Sequence, residues 1–214
     1  MLVGHLGAGL AAKAAAPRIG LGTLFAAALL LDILLWLFVI LHVEGAVVPP
    51  DFDTRHMLAF AFPWSHSLVA ALVWSVLAAL AWTWSGGEGK YLTFAPAIVA
   101  LTVFSHWALD FLVHPAELPL WPGAPSVGID IGQPAALILD FAVAAIGFAL
   151  FLWRVPMSAA RRTAIGGVLL LSAVLAYLNG TSPEPQDILN LAAVSLLAMF
   201  VIVTVGAITD RAPT

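Results

Sequence analysis

His106 and Asp110 stand four residues apart inside an apolar run from about Leu92 to Val113. Four helical residues turn the chain by roughly 400°, so the imidazole and the carboxylate share one helix face and can reach a common ligand. Ionisable groups within a membrane span are rare and face a bundle interior or a watery cavity, which makes the pair a functional site in want of partners. The plainer alternative is a neutral hydrogen-bonded pair that joins two helices.

Other runs carry the candidate partners. Asp32 lies in LFAAALLLDILLWLFVIL with no basic residue within helical reach, His66 follows Pro63 and Trp64 in PWSHSL, and Asp140 lies in the apolar stretch after Gly132. An isolated ionised Asp in mid-span costs about 2.5–3.5 kcal/mol even on the insertion scale, so each of these acids needs a cation. No Lys or Arg lies inside any of the six long apolar runs expected to span, and His5, in the N-terminal MLVGHLGAGLAAKAAA, supplies a further imidazole. The chain has no cysteine, so a metal would be held by imidazole and carboxylate alone, which favours zinc, with manganese the other choice. The expected ligands are His5, Asp32, His66, His106 and Asp110. Asp140 is a candidate catalytic base, or an orienter of a ligand histidine. His42, His56 and His114 read as interfacial or loop residues, and Trp64, Trp84, Trp121 and Trp153 as an aromatic belt at span ends.

The elements that must position these groups follow from composition. Of 214 residues, 62% are hydrophobic and 9% charged, with mean hydropathy +1.04, far from the roughly 45–50% apolar content of a soluble domain. The expected fold is an all-α, polytopic membrane bundle forming a single domain over 1–214. Residues 1–16 form an N-terminal half-helix dipping into the bilayer; Lys13 and Arg18 follow its apolar stretch, the reverse of a secretory signal. Six spans follow, at about Leu21–Val43, Trp64–Trp84, Leu92–Val113, Gly132–Trp153, Thr163–Leu178 and Ile188–Ile208, most near the ~20 residues a bilayer requires. Residues 17–153 carry the site, and 154–214, with no ionisable group within its runs, read as scaffold. Lys13, Arg18, Lys90, Arg154, Arg161, Arg162 and Arg211 fall on one side of this arrangement and Arg55 alone on the other, which places both termini in the cytoplasm and the site toward the outer leaflet. The net charge of −4 and the lack of a basic stripe exclude nucleic acid as a partner.

The order of the motifs resembles the YdjM-like family of inner-membrane, metal-dependent hydrolases. The matching residues are His5-Leu6-Gly7-Ala8-Gly9, Asp32, Ser65-His66-Ser67 and His106-Trp107-Ala108-Leu109-Asp110, within roughly residues 1–125. The same order is similar to the zinc-dependent phospholipase C and single-strand nuclease families. That resemblance implies one metal on Asp32, His66, His106 and Asp110 and a second on His5 with Asp110 shared. The later His-x-x-x-Glu that holds a third metal in those enzymes has no counterpart here.

The expected function is therefore hydrolysis of phosphoester bonds in lipid or other membrane-associated substrates, using one or two zinc-class ions. A divalent-metal transporter with the same ligands is the alternative from another class, although the chain shows none of the internal repeats that mark many transporters. A scaffold with a purely structural metal is the third.

Overall fold

The computed structural model describes residues 1–85 and 94–210, so Glu88 and Lys90, and likewise Arg211, lie outside the described residues. The chain is mostly helical: α1 (Leu2–Ala15), α2 (Leu21–Ala28), α3 (Leu30–Ile40), α4 (Phe52–Arg55), α5 (Leu68–Trp84), α6 (Ala95–Val113), α7 (Gln133–Arg154), α8 (Ala159–Asn179) and α9 (Ile188–Thr209). Two short antiparallel pairs complete it. β1 (Gly45–Val47) pairs with β2 (Ala59–Ala61), Ala46 opposite Phe60, and β3 (Leu118–Pro119) pairs with β4 (Ser126–Val127).

Helices α6, α7, α8 and α9 are long and apolar enough to cross a membrane, the bent pair α2–α3 would make a fifth span, and α5 is apolar but shorter at 17 residues. Their outward faces carry large apolar side chains such as Leu101, Ile138, Leu170 and Phe200. In water such patches would be a liability; against hydrocarbon they are ordinary. Trp64, Trp84, Trp121 and Trp153 are all exposed, as aromatic residues at a membrane interface are.

Two features depart from the expected layout. The run Leu21–Val43 is not one straight helix, because α2 and α3 meet at Leu29 with a bend of 57°. Leu29 sits at φ −100°, ψ 2°, outside the helical well. No Pro or Gly marks the break. Its consequence is local and chemical: Asp32 moves from mid-helix to the first turn of α3, where the positive end of the helix dipole favours a carboxylate.

The second departure is α1, which is enclosed by the bundle. Val3, His5, Leu6 and Leu10 are buried on it, and it crosses α7 at two glycines. A Cβ on Gly147 would lie 2.0 Å from the Gly7 carbonyl oxygen, and one on Gly7 would lie 2.5 Å from the Val143 oxygen. Such backbone-to-backbone contact is how small residues join membrane helices. Gly9, the glycine of the N-terminal motif, faces α2, where an added Cβ would meet Phe25 Cδ1 at 3.1 Å.

The far end of α1 is tied down by charge. The buried Lys13 ammonium donates to Asp210 Oδ2 at 2.6 Å, to Pro17 O at 2.7 Å and to Ile19 O at 2.8 Å, and Leu21 N also donates to Asp210 Oδ2. The start of α2 and the ends of α1 and α9 therefore meet at one end of the bundle. Removing one partner of a buried pair strands the other charge, so Asp210→Ala should cost about 3 kcal/mol, while Lys13→Met with Asp210→Leu should cost less than the single change. Reversible unfolding in mixed micelles would rank the two variants.

Candidate metal centre

The centre is assembled from five segments: α1, the first turn of α3, the turn before α5, α6, and the loop that follows α3. Along α6 the i,i+4 spacing places His106 Nε2 3.2 Å from Asp110 Oδ2. His66, in the Pro63–Ser67 turn, brings its Nε2 to 3.3 Å from His106 Nε2 and 3.6 Å from Asp110 Oδ2. Asp32 Oδ1 lies 3.5 Å from His106 Nε2 and 3.7 Å from His66 Nε2. These five separations, 3.2 to 3.7 Å, are close to the roughly 3.3–3.4 Å edge of a tetrahedron whose centre is 2.0–2.1 Å from each ligand atom, and they form two triangles that share the His66–His106 edge, one completed by Asp32 and the other by Asp110.

The opposite edge of each imidazole explains why Nε2 is free to point inward. His106 Nδ1 lies 2.7 Å from the Ala28 carbonyl oxygen, at the α2–α3 break, and so is the protonated nitrogen. His66 Nδ1 lies 2.8 Å from Ser65 Oγ, whose hydroxyl donates to Glu44 Oε2 at 2.6 Å. With its proton committed to Glu44, Ser65 can only accept from His66 Nδ1–H. In the neutral imidazoles both Nε2 atoms are then lone-pair donors facing two carboxylate oxygens. Such a cluster of acceptors in a buried space is held together by positive charge among them, either a bound metal ion or a proton on an imidazole.

Glu44, in the loop that follows α3, carries no signal in the sequence that ties it to this centre. It is 6% exposed and accepts from Trp64 N at 2.7 Å, Ser65 N at 2.8 Å and the Ser65 hydroxyl. Burial holds its carboxyl above the ordinary range, and the hydrogen bonds from Ser65 and Trp64 offset only part of that rise. It locks both the backbone and the tautomer of the His66 turn. A carboxylate behind a ligand histidine is typically worth 10–100-fold in metal affinity. Glu44→Ala should weaken binding by about that factor, read by competition with a chromophoric chelator, with Glu44→Gln intermediate because it keeps an acceptor oxygen.

His5 completes the group. Its ring stacks on His106, centroids 3.6 Å apart and planes 9° from parallel, and its Nε2 is 3.2 Å from Asp110 Oδ1. Among the described residues Asp110 Oδ1 meets His5 Nε2 and, at 3.7 Å, the buried Met1 amino group as ion-pair contacts, and His5 Nδ1, also buried, has no hydrogen-bond partner. Two overlapping groups of ligand atoms that could hold a metal ion result, His5–Asp32–His106 and His66–His106–Asp110, with the atoms of each within 4.8 Å of one another. Asp110 presents one oxygen to each side.

Asp140, expected as a catalytic base, is placed elsewhere. Its Oδ1 accepts from Gly4 N at 2.6 Å, satisfying one of the unpaired amides at the start of α1, and it belongs to neither ligand group. It anchors the helix that carries His5.

His114 and His56 belong to neither ligand group among the described residues. Both line a cavity of about 430 Å³ together with Asp32, His66, Asp110, Phe60 and Phe62. His56, with a left-handed backbone (φ 47°, ψ 37°), sets its Nδ1 3.1 Å from Ser182 O. Leu175 of α8 and Leu191, Val194, Ala198 and Met199 of α9 also line this cavity. The last two helices thus border the cavity next to the centre. Compared with known proteins, the chain matches no family model, no curated protein and no solved structure.

Proposed function

We propose that the protein is an integral membrane hydrolase of phosphoester bonds, working with one or two zinc-class ions. The observation that carries this reading is the clustering of two carboxylates about two imidazoles: Asp32 Oδ1 and Asp110 Oδ2 each lie 3.2 to 3.7 Å from both His66 Nε2 and His106 Nε2, while His66 Nδ1 faces Ser65 and His106 Nδ1 faces the Ala28 carbonyl. Those four residues would hold one ion, and His5 with the second oxygen of Asp110 would hold the other. Bound there, such an ion supplies Lewis acidity toward a phosphoryl oxygen and water activated at neutral pH.

The chain's own residues do the rest. Asp32 has the most accessible side chain of the centre, at 20% against 0–3% for His5, His66, His106 and Asp110, so the cavity side is where a substrate meets the ligands. Glu44 through Ser65, and the Ala28 carbonyl, hold the imidazoles in register. Asp140 and the Gly7–Gly147 crossing seat His5. The buried face toward α1 excludes water from the back of the centre. We read the membrane arrangement as six spans, α2–α3 and α5 through α9, with α1 tucked among them, both termini cytoplasmic and the centre toward the outer leaflet, by the distribution of Lys and Arg. The motif order, similar to the YdjM-like family and to zinc phospholipases C, supports the same chemistry.

The test is metal content by mass spectrometry on purified protein, alongside hydrolysis of a chromogenic phosphodiester. Stoichiometric zinc with turnover abolished in Asp110→Ala is the expected result. Zinc uptake into proteoliposomes without turnover would overturn the hydrolase reading in favour of a carrier.

A further inference from the structure

The same cavity has a second property that the metal centre does not explain: beside its histidines, Asp32, Asp110, Asn179, Ser195 and the Met1 terminus, its lining is apolar and it is partly open. Leu35 and Trp36 of α3 and Leu191, Ala198 and Met199 of α9 all line it. Its rim includes Leu175 and Val194, which are 40% and 56% exposed on two helices long and apolar enough to cross a membrane. In a bilayer those two residues border hydrocarbon, so a lipid chain would reach the cavity without passing through water. Its volume of about 430 Å³ falls within the range of small-ligand pockets, about 300–1,000 Å³. No lysine or arginine among the described residues lines it.

From this geometry we infer a binding site for a single aliphatic chain, lying between α3, α8 and α9 with the chain's polar end on Asp32, His66 and Asp110. The substrate class is a lipid phosphodiester taken laterally from the bilayer. The reaction assigned to it rests on the hydrolase reading above; the binding of the chain does not. Transfer from bilayer to an apolar pocket gains almost no hydrophobic free energy, since both sides are equally apolar. The chain therefore serves to position the ester, and a wall that is overfilled should lower turnover of long-chain substrates.

Trp36 reports on the site because it lines the cavity and is only 9% exposed. The experiment uses the full chain in nanodiscs and a lysophosphatidylcholine brominated near its chain terminus, with the difference between wild type and Trp36→Phe isolating the Trp36 signal. Quenching of Trp36 that is lost in Ala198→Phe, with zinc content retained, is the expected result, together with a drop of about tenfold or more in kcat/KM for a hexadecyl phosphodiester. Should Ala198→Phe lose zinc, the milder Ser195→Leu on the same wall provides the reading. Absence of Trp36 quenching in zinc-replete wild type overturns the chain site and leaves the hydrolase reading standing. Quenching without hydrolysis of any phosphodiester upholds the chain site and overturns the reaction.

Discussion

His106→Ala should yield a folded protein that retains no zinc-class ion after dialysis and has lost phosphodiester turnover by about 10³-fold or more, the several kcal/mol that Lewis acidity contributes to such reactions. His106 belongs to both clusters of ligand atoms, His5–Asp32–His106 and His66–His106–Asp110. Its Nε2 lies within 3.5 Å of Asp32, His66 and Asp110, and its ring is the surface on which His5 stacks. Removing it leaves two carboxylates and an imidazole without a shared centre and frees the Ala28 carbonyl at the helix break. His106→Gln would test whether a neutral hydrogen-bonding side chain suffices. Retained zinc and turnover in that variant would show that His106 is not a ligand and serves helix pairing instead. Inductively coupled plasma mass spectrometry and a turnover assay on the same preparation read both quantities.

Gly147→Leu should be nearly as damaging, although Gly147 carries no chemistry. The clash is with the Cβ itself, 2.0 Å from the Gly7 oxygen and 2.8 Å from Gly7 Cα, so no rotamer relieves it and α1 must move away from α7. Overpacking of this kind costs about 1–3 kcal/mol or more. The displacement also carries His5 off Asp110 and pulls Gly4 from Asp140. A shift of about 1 Å in a catalytic group can cost on the order of 10²-fold in rate. Gly167→Leu is the matched control, because a Cβ there meets nothing within 4 Å. Unfolding in mixed micelles together with turnover would separate the two: Gly147→Leu loses both, Gly167→Leu neither.

Much of the site was legible because its residues are chemically out of place. Acids and imidazoles stranded in apolar runs point to one another, and His5, Asp32, His66, His106 and Asp110 are brought within a few ångströms by four separate segments. Asp140 satisfied the same criterion for a different reason. A buried carboxylate can be held by backbone amides at a helix start, and sequence does not show which helix end lies opposite it. Glu44 escaped notice for the complementary reason: a loop acid looks solvated, and its 21-residue separation from Ser65 leaves no local signal.

The bend at Leu29 was illegible because the usual marks of a break, Pro or Gly, are absent from Leu24–Leu35. Its payoff lies in the Ala28 carbonyl and in the first turn of α3, both tertiary facts. The enclosure of α1 could have been read from Gly7 and Gly147, small residues that allow backbones to touch. The cavity wall on α9 could not. An apolar side chain that faces lipid and one that faces a lipid-filled pocket are the same side chain.

The most direct measurement is X-ray absorption at the zinc edge on the metal-loaded protein, compared with Asp110→Ala and His66→Ala. The account predicts a first shell of nitrogen and oxygen only, at about 2.0–2.1 Å, with imidazole scattering that diminishes in His66→Ala. A protein that takes up no zinc from a buffered supply, or one whose zinc shell is unchanged by both substitutions, would contradict it.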